Sequence, residues 1–215
     1  MVPEAGHLRD ALVTVVALVS GPNPPHYDRV AMTLHWLVAI GVLAQIALGL
    51  WMIDIPKQPT GVRAYWFNLH KSIGMTLGVL IIMRLAWRFT HRPPPLPSSV
   101  PRWQVRAAGA SHVLLYICMI TMPLAGYLGS VFSGYPIKYF GAVVPGWGWK
   151  DEALKELFST VHFVAAIAFM SLIKLHVLAA LKHLLYDRDG VFHRMLPHRR
   201  TAAVVPEAAA PGQGA

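Results

Sequence analysis

The sequence has little charge and almost no cysteine. Only 13% of its 215 residues are Asp, Glu, Lys or Arg, well below the roughly 25% of a typical soluble domain. The single cysteine, Cys118, lies inside an apolar run, so no disulfide can form within the chain. Neither a phosphate-binding glycine loop nor a zinc-type cysteine cluster is present. These absences argue against a soluble nucleotide-binding enzyme, a disulfide-stapled domain and a zinc module.

Four long apolar segments are present instead, and the mean hydropathy of the chain is +0.46. Each segment is near or above the roughly 20 residues that a membrane-spanning helix needs. They cover roughly residues 30–53, 68–89, 108–132 and 157–185. We therefore predict an all-α integral membrane protein with one bundle of four transmembrane helices. The predicted domains are a poorly ordered or interfacial extension (1–26), the bundle (27–198) and a disordered tail (199–215).

The basic residues lie mainly in the loops between these segments. The net charge of +9 first suggests a nucleic-acid partner, but the distribution of charge favours a membrane topology. Residues 88–106 contain four arginines and no acid, whereas the loop before the fourth segment contains both lysines and acids. Loops rich in Lys and Arg stay in the cytoplasm. We therefore predict no nucleic-acid partner, and a cytoplasmic location for residues 88–106 and for both termini.

Two histidines on the fourth segment are the most informative residues. His162 and His176 are 14 residues apart, so they lie on one side of a helix and about 21 Å apart along it. An ionisable side chain inside a membrane is costly and is a functional candidate by default. Because consecutive helices run antiparallel, His35 should lie at the depth of His176, and His70 at the depth of His162. The sequence therefore predicts two histidine pairs, one near each edge of the bilayer.

Two separated pairs of neutral imidazoles suit haem iron better than zinc, which takes three or four ligands at one point. A flat macrocycle can fill the space between helices. Without a C-x-x-C-H motif, the haem would be bound non-covalently, as b-type haem. Two axial histidines favour outer-sphere electron transfer over oxygen binding. The alternatives are hydrogen bonding of the histidines across the bundle, or a metal or proton transporter.

These motifs together resemble the bacterial cytochrome b561 family, over about residues 27–198. The matching stretches are T-L-H-W-L around His35, L-H-K-S-I-G from Leu69, R-L-A-W-R from Arg84, S-H-V-L-L-Y from Ser111, V-H-F from Val161 and L-H-V-L-A-A-L-K-H from Leu175. The resemblance implies an inner-membrane, respiratory-chain cytochrome with two stacked b haems that exchanges electrons with quinone. The first 26 residues and the Pro-Gly-Trp-Gly-Trp run from Pro145 depart from the family's pattern.

The resemblance also implies two kinds of function. One branch of the family oxidises superoxide at the outer face and reduces ubiquinone, and we favour this reaction for the chain. Other members serve a partner dehydrogenase or hydrogenase as non-catalytic cytochrome subunits, which is the alternative.

Several further residues are candidates for cofactor binding. The glycines of the first two segments would leave clearance for a bound ring, or simply allow close helix packing. They are Gly41, Gly49, Gly74 and Gly78. Arg84 and Arg88 fit hydrogen bonds to haem propionates or lipid phosphate, and equally fit positive-inside anchoring.

Four residues are candidates for the substrate sites. Lys71 and Arg63 lie near His70 at the predicted outer face, where they would attract a small anion such as superoxide. Lys71 also fits an ion pair with a haem propionate, or an amine that extends to the membrane interface without a functional role. His183, seven residues past His176, fits a quinone hydrogen-bond partner or a solvated helix end. His112 fits a structural or quinone-linked role better than a third ligand, because the third segment has no second histidine.

Overall fold

The computed structural model describes residues 26–56 and 61–197. Its four long helices are α1 (Arg29–Met52), α2 (Val62–Thr90), α3 (Arg102–Val131) and α4 (Glu152–Lys182). A small antiparallel hairpin of β1 (Ile137–Tyr139) and β2 (Ala142–Val144) lies between α3 and α4. A π-helical turn (His183–Asp187) and a 3-10 helix (Phe192–Met195) follow α4. Apart from His26, the predicted extension over 1–26 and the predicted tail lie outside the described residues.

All four helices are long and apolar enough to cross a membrane. Their outward faces carry large apolar side chains that remain exposed, such as Ile40, Ile82 and Phe163. A water-soluble protein seldom leaves so much apolar surface open, whereas lipid is a suitable environment for it. The described chain is therefore a helical bundle of the kind the hydropathy predicts, with a two-stranded hairpin that the sequence did not indicate.

The second and third helices begin earlier than the hydropathy suggests. α2 begins at Val62, directly after Gly61 with its positive φ of 110°, and α3 begins at Arg102 after Pro101. The added first turns contain aromatic and basic residues, such as Trp66 of α2 and Arg102 of α3, which hydropathy scores low and which are typical of the membrane interface. His70 consequently lies about two turns inside α2 rather than at its start, and the first arginines of α3 are helical rather than in a loop.

A buried apolar layer occupies the middle of the bundle. Phe169, only 6% exposed, is the buried residue of α4, and it lies seven residues from each of His162 and His176. It packs in one cluster with residues of the other three helices. The buried partners are Val38, Val42, Leu77, Ile81, Leu115, Cys118 and Met119. The two levels marked by the histidines of α4 are thus separated by a layer of buried apolar side chains.

Both termini of the described chain close the same end of the bundle. The Tyr27 amide donates to the Arg194 carbonyl over 3.2 Å, and the indole of Trp36 donates to the Met195 carbonyl over 2.7 Å. Arg194 is 2% exposed and donates to the Pro94 carbonyl in the loop between α2 and α3. This end therefore combines the start of α1, the loop after α2 and the segment after α4.

Asp28 joins two helices at that end. Its carboxylate accepts the Ala31 amide as the N-cap of α1 and also accepts the Trp87 indole from α2. Burial raises the pKa of Asp28, but these hydrogen bonds outweigh that effect and hold the pKa below its ordinary value. Asp28 therefore stabilises the entry to α1 as a carboxylate.

The hairpin closes the other end. Ser72 on α2, only 1% exposed, has its hydroxyl 2.7 Å from the Asn68 carbonyl and 3.2 Å from the Lys138 carbonyl. The same oxygen accepts the Phe140 amide over 2.9 Å. One buried hydroxyl therefore ties the hairpin to α2, within a turn of His70.

Candidate functional site

The first histidine pair joins α1 and α4 at the end closed by the termini. The ring centroids of His35 and His176 are 6.5 Å apart, and His112 of α3 lies 5.5 Å from His176. Arg84 of α2 lies at the same end, in the wall of a cavity that His112 also lines. We call His35 and His176 the basic-end pair.

The second pair joins α2 and α4 at the hairpin end, and we call it the hairpin-end pair. The ring centroids of His70 and His162 are 6.3 Å apart. Nδ1 of His162 lies 3.0 Å from the Met122 carbonyl of α3. A carbonyl only accepts hydrogen bonds, so Nδ1 carries the proton and Nε2 keeps its lone pair free for a metal. Nδ1 of His70 is buried with no hydrogen-bond partner among the described residues.

The spacing of both pairs fits two axial ligands of one iron. A metal–imidazole bond is about 2 Å and the ring centre lies about 1.1 Å beyond the nitrogen, so centroids on opposite sides of one metal are about 6.2 Å apart. The measured separations of 6.5 and 6.3 Å are close to this value. Imidazole is a common iron ligand, so the donor set suits haem at both levels.

Bare backbone faces the rings of the hairpin-end pair. A Cβ on Gly126 would lie 3.0 Å from Nδ1 of His162, and a Cβ on Gly49 would lie 3.4 Å from the His70 ring. Gly126 therefore allows His162 to approach α3 closely enough to reach the Met122 carbonyl. Of the predicted cofactor-binding glycines, Gly49 is the one that faces a histidine.

The other predicted glycines face other parts of the protein. Gly41 lies against Leu77, and Gly78 lies against Pro123. Gly74 leaves room for Gln45, whose Nε2 donates to the His70 carbonyl over 2.8 Å. Gly41 and Gly78 therefore serve helix packing here, whereas Gly74 contacts the hairpin-end pair through Gln45.

A basic cavity of about 490 Å³ opens beside the basic-end pair. Arg84, Arg88 and His112 line it together with Trp87 and Tyr116. Nε of Arg84 is buried and has no hydrogen-bond partner among the described residues. The cavity therefore has the charge and the unused donor that an anionic group, such as a haem propionate, would require.

Lys71 and Arg63, the two cations predicted to attract an anion at the outer face, have different surroundings. Lys71 is half-buried next to His70 in α2. Arg63 donates to the carbonyls of Ile53 and Ile55, so it is bound to the chain just after α1 rather than held free beside His70. Lys71 is consequently the better candidate for attracting an anion.

His183 lies in the turn after α4. Its Nδ1 donates to the Asp189 carboxylate over 2.6 Å and lies 3.3 Å from the Asp187 carboxylate. It is half-buried rather than a freely solvated helix end. The contact depends on a chain reversal at Arg188, which has a left-handed φ of 50°.

Two site residues were absent from the sequence-based prediction. Gln45 is an amide within the apolar run of α1, which is a signal that could have identified it. The Met122 carbonyl belongs to the backbone, and only Pro123 directly after it marked the region as unusual.

Comparison with known proteins identifies the family. The sequence model of the prokaryotic cytochrome b561 family matches residues 26–198. The chain belongs to this family. It is 36% identical over 180 residues to cytochrome b561 homolog 2 of Escherichia coli strain K12, an alignment covering 81% of this chain and 93% of that protein.

Two further relatives have related names. Over 181 residues the chain is 30% identical to cytochrome b562 of Cereibacter sphaeroides, covering 81% of this chain and 98% of the relative. Over 177 residues it is 26% identical to the probable superoxide oxidase CybB of Yersinia pestis, covering 81% and 97%. As a member of the cytochrome b561 family with four apolar helices, the protein is a multi-pass membrane protein that binds b-type haem and transfers electrons.

Proposed function

We propose that the protein is a di-haem cytochrome that carries electrons across the bacterial inner membrane, between an outer-face donor and the quinone pool. The observation that supports this most strongly is the presence of two histidine pairs with centroid separations of 6.5 and 6.3 Å. His35 and His176 hold one haem, and His70 and His162 hold the other. The bound haems supply reversible one-electron chemistry.

The protein's own residues hold and separate these groups. Met122 fixes the tautomer of His162 through its carbonyl, so Nε2 faces the metal. Arg84 and Arg88 offer hydrogen bonds to propionates in the basic cavity. The layer around Phe169 excludes water between the two levels. By the positive-inside rule the basic end, with both termini, lies in the cytoplasm.

The donor that we favour is superoxide, and the acceptor is ubiquinone. Each superoxide gives up one electron and becomes O₂, and two such electrons with two protons convert ubiquinone to ubiquinol. Lys71 attracts the anion to the outer face near His70. His183, hydrogen-bonded to Asp189, and His112, in the wall of the basic cavity, are the candidate quinone partners. The name of the Yersinia pestis relative supports the same reaction.

A subunit of a partner dehydrogenase or hydrogenase is the second candidate. It is favoured by the exposed apolar side chains at the hairpin end, which would suit a docking surface. They include Tyr135, Phe140, Val143, Trp147 and Trp149. The two functions differ in one respect: only the first predicts quinone reduction by the purified chain without a partner.

Haem content of histidine variants tests the ligand assignment. The purified protein should contain two b haems, and His162→Leu or His70→Leu should retain only one. His176→Leu or His35→Leu should also retain one haem, with a spectrum that differs from the first two variants. His112→Leu is the control, and it should retain both haems. Full haem content in His162→Leu would contradict the assignment of His162 as a haem ligand.

Stopped-flow haem reduction tests the donor. Superoxide should reduce the purified protein rapidly, and the rate should fall as ionic strength rises because the encounter is electrostatically steered. Lys71→Gln should slow the reaction further, whereas Arg63→Gln should slow it less because Arg63 is bound to the Ile53 and Ile55 carbonyls. A slow rate that changes neither with salt nor in Lys71→Gln would exclude superoxide as the donor and favour the subunit function.

A further inference from the structure

The two histidines of the hairpin-end pair differ in the support that Nδ1 receives. Nδ1 of His162 lies 3.0 Å from the Met122 carbonyl. Nδ1 of His70 is buried and has no hydrogen-bond partner among the described residues. A metal-ligating histidine almost always donates its other ring N–H to an oxygen acceptor, which fixes the tautomer and the orientation of the ring. His70 therefore needs an acceptor that its direct contacts with the described residues do not supply.

Gln45 of α1 presents an acceptor in the same contact between helices. Its Nε2 donates to the His70 carbonyl over 2.8 Å. Because a carbonyl only accepts hydrogen bonds, the amide must place its nitrogen there and its oxygen elsewhere. Oε1 is buried, and it too lacks a hydrogen-bond partner within the part of the chain that the structure describes. One donor on His70 and one acceptor on Gln45 are thus left unpaired.

Both groups lie where α1 faces α2. A Cβ on Gly49 would lie 3.4 Å from Cε1 and 3.9 Å from Nδ1 of His70, and Gln45 is one turn before Gly49, on the same face of α1. A Cβ on Gly74 of α2 would lie 3.2 Å from Nε2 of Gln45. Neither glycine places a side chain in this contact. Buried polar groups without a protein partner are commonly bridged by an ordered water.

From these contacts we propose that Gln45 is the positioning residue of His70: its Oε1 accepts, through one buried water, the hydrogen bond that Nδ1 of His70 donates. The water accepts from Nδ1 and donates to Oε1, so both unpaired atoms gain a partner. Nε2 of His70 then keeps its lone pair for iron, as Nε2 of His162 does. This inference rests on the proposed two-haem function. It gives each ligand of the hairpin-end haem an acceptor, a backbone carbonyl for His162 and a side-chain amide for His70.

Haem properties of Gln45→Met test this role, in the full chain and in a His176→Leu background that leaves the hairpin-end haem alone. The variant has a side chain of similar size and removes both polar groups. Haem binding should weaken roughly tenfold, as is typical when a metal ligand loses its hydrogen-bond partner. An imidazole without an acceptor is a weaker donor to ferric iron. The ferrous-to-ferric ratio of the bound haem at fixed potential should therefore rise about tenfold, a midpoint increase of about 59 mV for one electron.

Two further variants separate hydrogen bonding from packing. Gln45→Glu keeps an Oε acceptor at the same length, and its midpoint should return to the wild-type value or fall below it, since a carboxylate is a stronger acceptor than an amide. Ile46→Met is the matched control, because it places the same new side chain one residue further along α1, against the buried apolar layer. It should leave haem content and midpoint unchanged.

The outcomes are distinct. A wild-type midpoint in Gln45→Met would overturn the inference, as would an equal increase in Gln45→Glu or in Ile46→Met. If Gln45→Met retains no haem, Gln45→Glu decides: haem with a wild-type or lower midpoint supports the role, and loss of haem there too contradicts it. A His176→Leu protein without any haem would instead contradict the two-haem function, so the two failures are distinguishable.

Discussion

The basic end and the hairpin end of the bundle hold histidine pairs with nearly the same ring separation, 6.5 and 6.3 Å. Their supports differ. His112 lies 5.5 Å from His176 of the first pair and lines the basic cavity with Arg84, whereas the second pair is set against the Met122 carbonyl and the glycine backbone of α1 and α3. The comparison shows that one ligand geometry can be combined with two chemical environments, one made by charged side chains and the other by exposed backbone.

The two ends also differ in how the chain closes them. At the basic end the contacts join residues far apart in sequence, such as Tyr27 with Arg194. At the hairpin end, α2 binds the hairpin through the Ser72 hydroxyl and through Thr76, whose hydroxyl lies 3.1 Å from that of Tyr139. The basic end consequently joins the two ends of the described chain, whereas the hairpin end joins α2 to the segment between α3 and α4.

The largest expected difference between the ends is their accessibility from outside the cell. Cys118 is buried, so a cysteine introduced at the surface can be labelled selectively. An impermeant thiol reagent applied to intact cells should label Gly146→Cys near the hairpin and leave Ser98→Cys in the loop after α2 unlabelled. The physical reason is the arginine content of the latter loop. Labelling of Ser98→Cys but not of Gly146→Cys would indicate the opposite topology.

A smaller effect should follow from adding a methyl group at the hairpin end. In Gly126→Ala the new Cβ would lie 3.0 Å from Nδ1 of His162 and would displace the ring from the Met122 carbonyl. We expect at least half of the hairpin-end haem to be lost and the basic-end haem to remain, measured by haem count and spectrum. Gly129→Ala is the matched control, since its Cβ would make only an ordinary 3.6 Å contact with Phe158 and Ser159. Equal haem contents in the two variants would contradict the proposed role of Gly126.

The smallest expected effect concerns Asp28 at the basic end. Its pKa is held below the ordinary value, so its contribution to stability is fully present above the unfolded pKa of about 3.9 and is lost as pH falls through the lower folded pKa. Asp28→Ala should cost about 1 kcal/mol through loss of the N-cap. Asp28→Asn keeps a capping oxygen and should lose mainly the dependence on pH. Thermal unfolding between pH 3 and 7 provides the measurement, and an identical pH profile for wild type and Asp28→Asn would contradict this role.

Much of the bundle could be predicted from the sequence, because lipid imposes simple rules. The lengths of the apolar segments predict four helices, and the described chain has four helices long enough to span a membrane. The antiparallel order of consecutive helices predicts which histidines lie at the same depth. Hydropathy places the starts of α2 and α3 about six residues late, because their first turns contain basic and aromatic residues that hydropathy scores low. The hairpin was missed because two three-residue strands give almost no periodic signal.

The surroundings of the site were harder to predict than the histidines themselves. Arg63 was expected to attract an anion, yet it binds backbone carbonyls that become available only where α1 ends. The contact between His183 and Asp189 depends on the left-handed conformation of Arg188, which no residue preference indicates. Contacts of this kind arise from chain reversals and backbone atoms, and side-chain spacing along a helix carries no information about them.

The order of the histidines along the chain has a consequence for biogenesis. A membrane protein is synthesised from its N-terminus, and α4 is the last of the four helices to leave the ribosome. Within α4, His162 precedes His176 by 14 residues. The hairpin-end pair is therefore completed when residue 162 is synthesised, and the basic-end pair only when residue 176 is synthesised. The indole of Trp36, present from the start of synthesis, gains its partner only when Met195 emerges. A nascent chain stopped between residues 162 and 176 would contain one complete ligand pair, so the hairpin end is the first that could receive its cofactor.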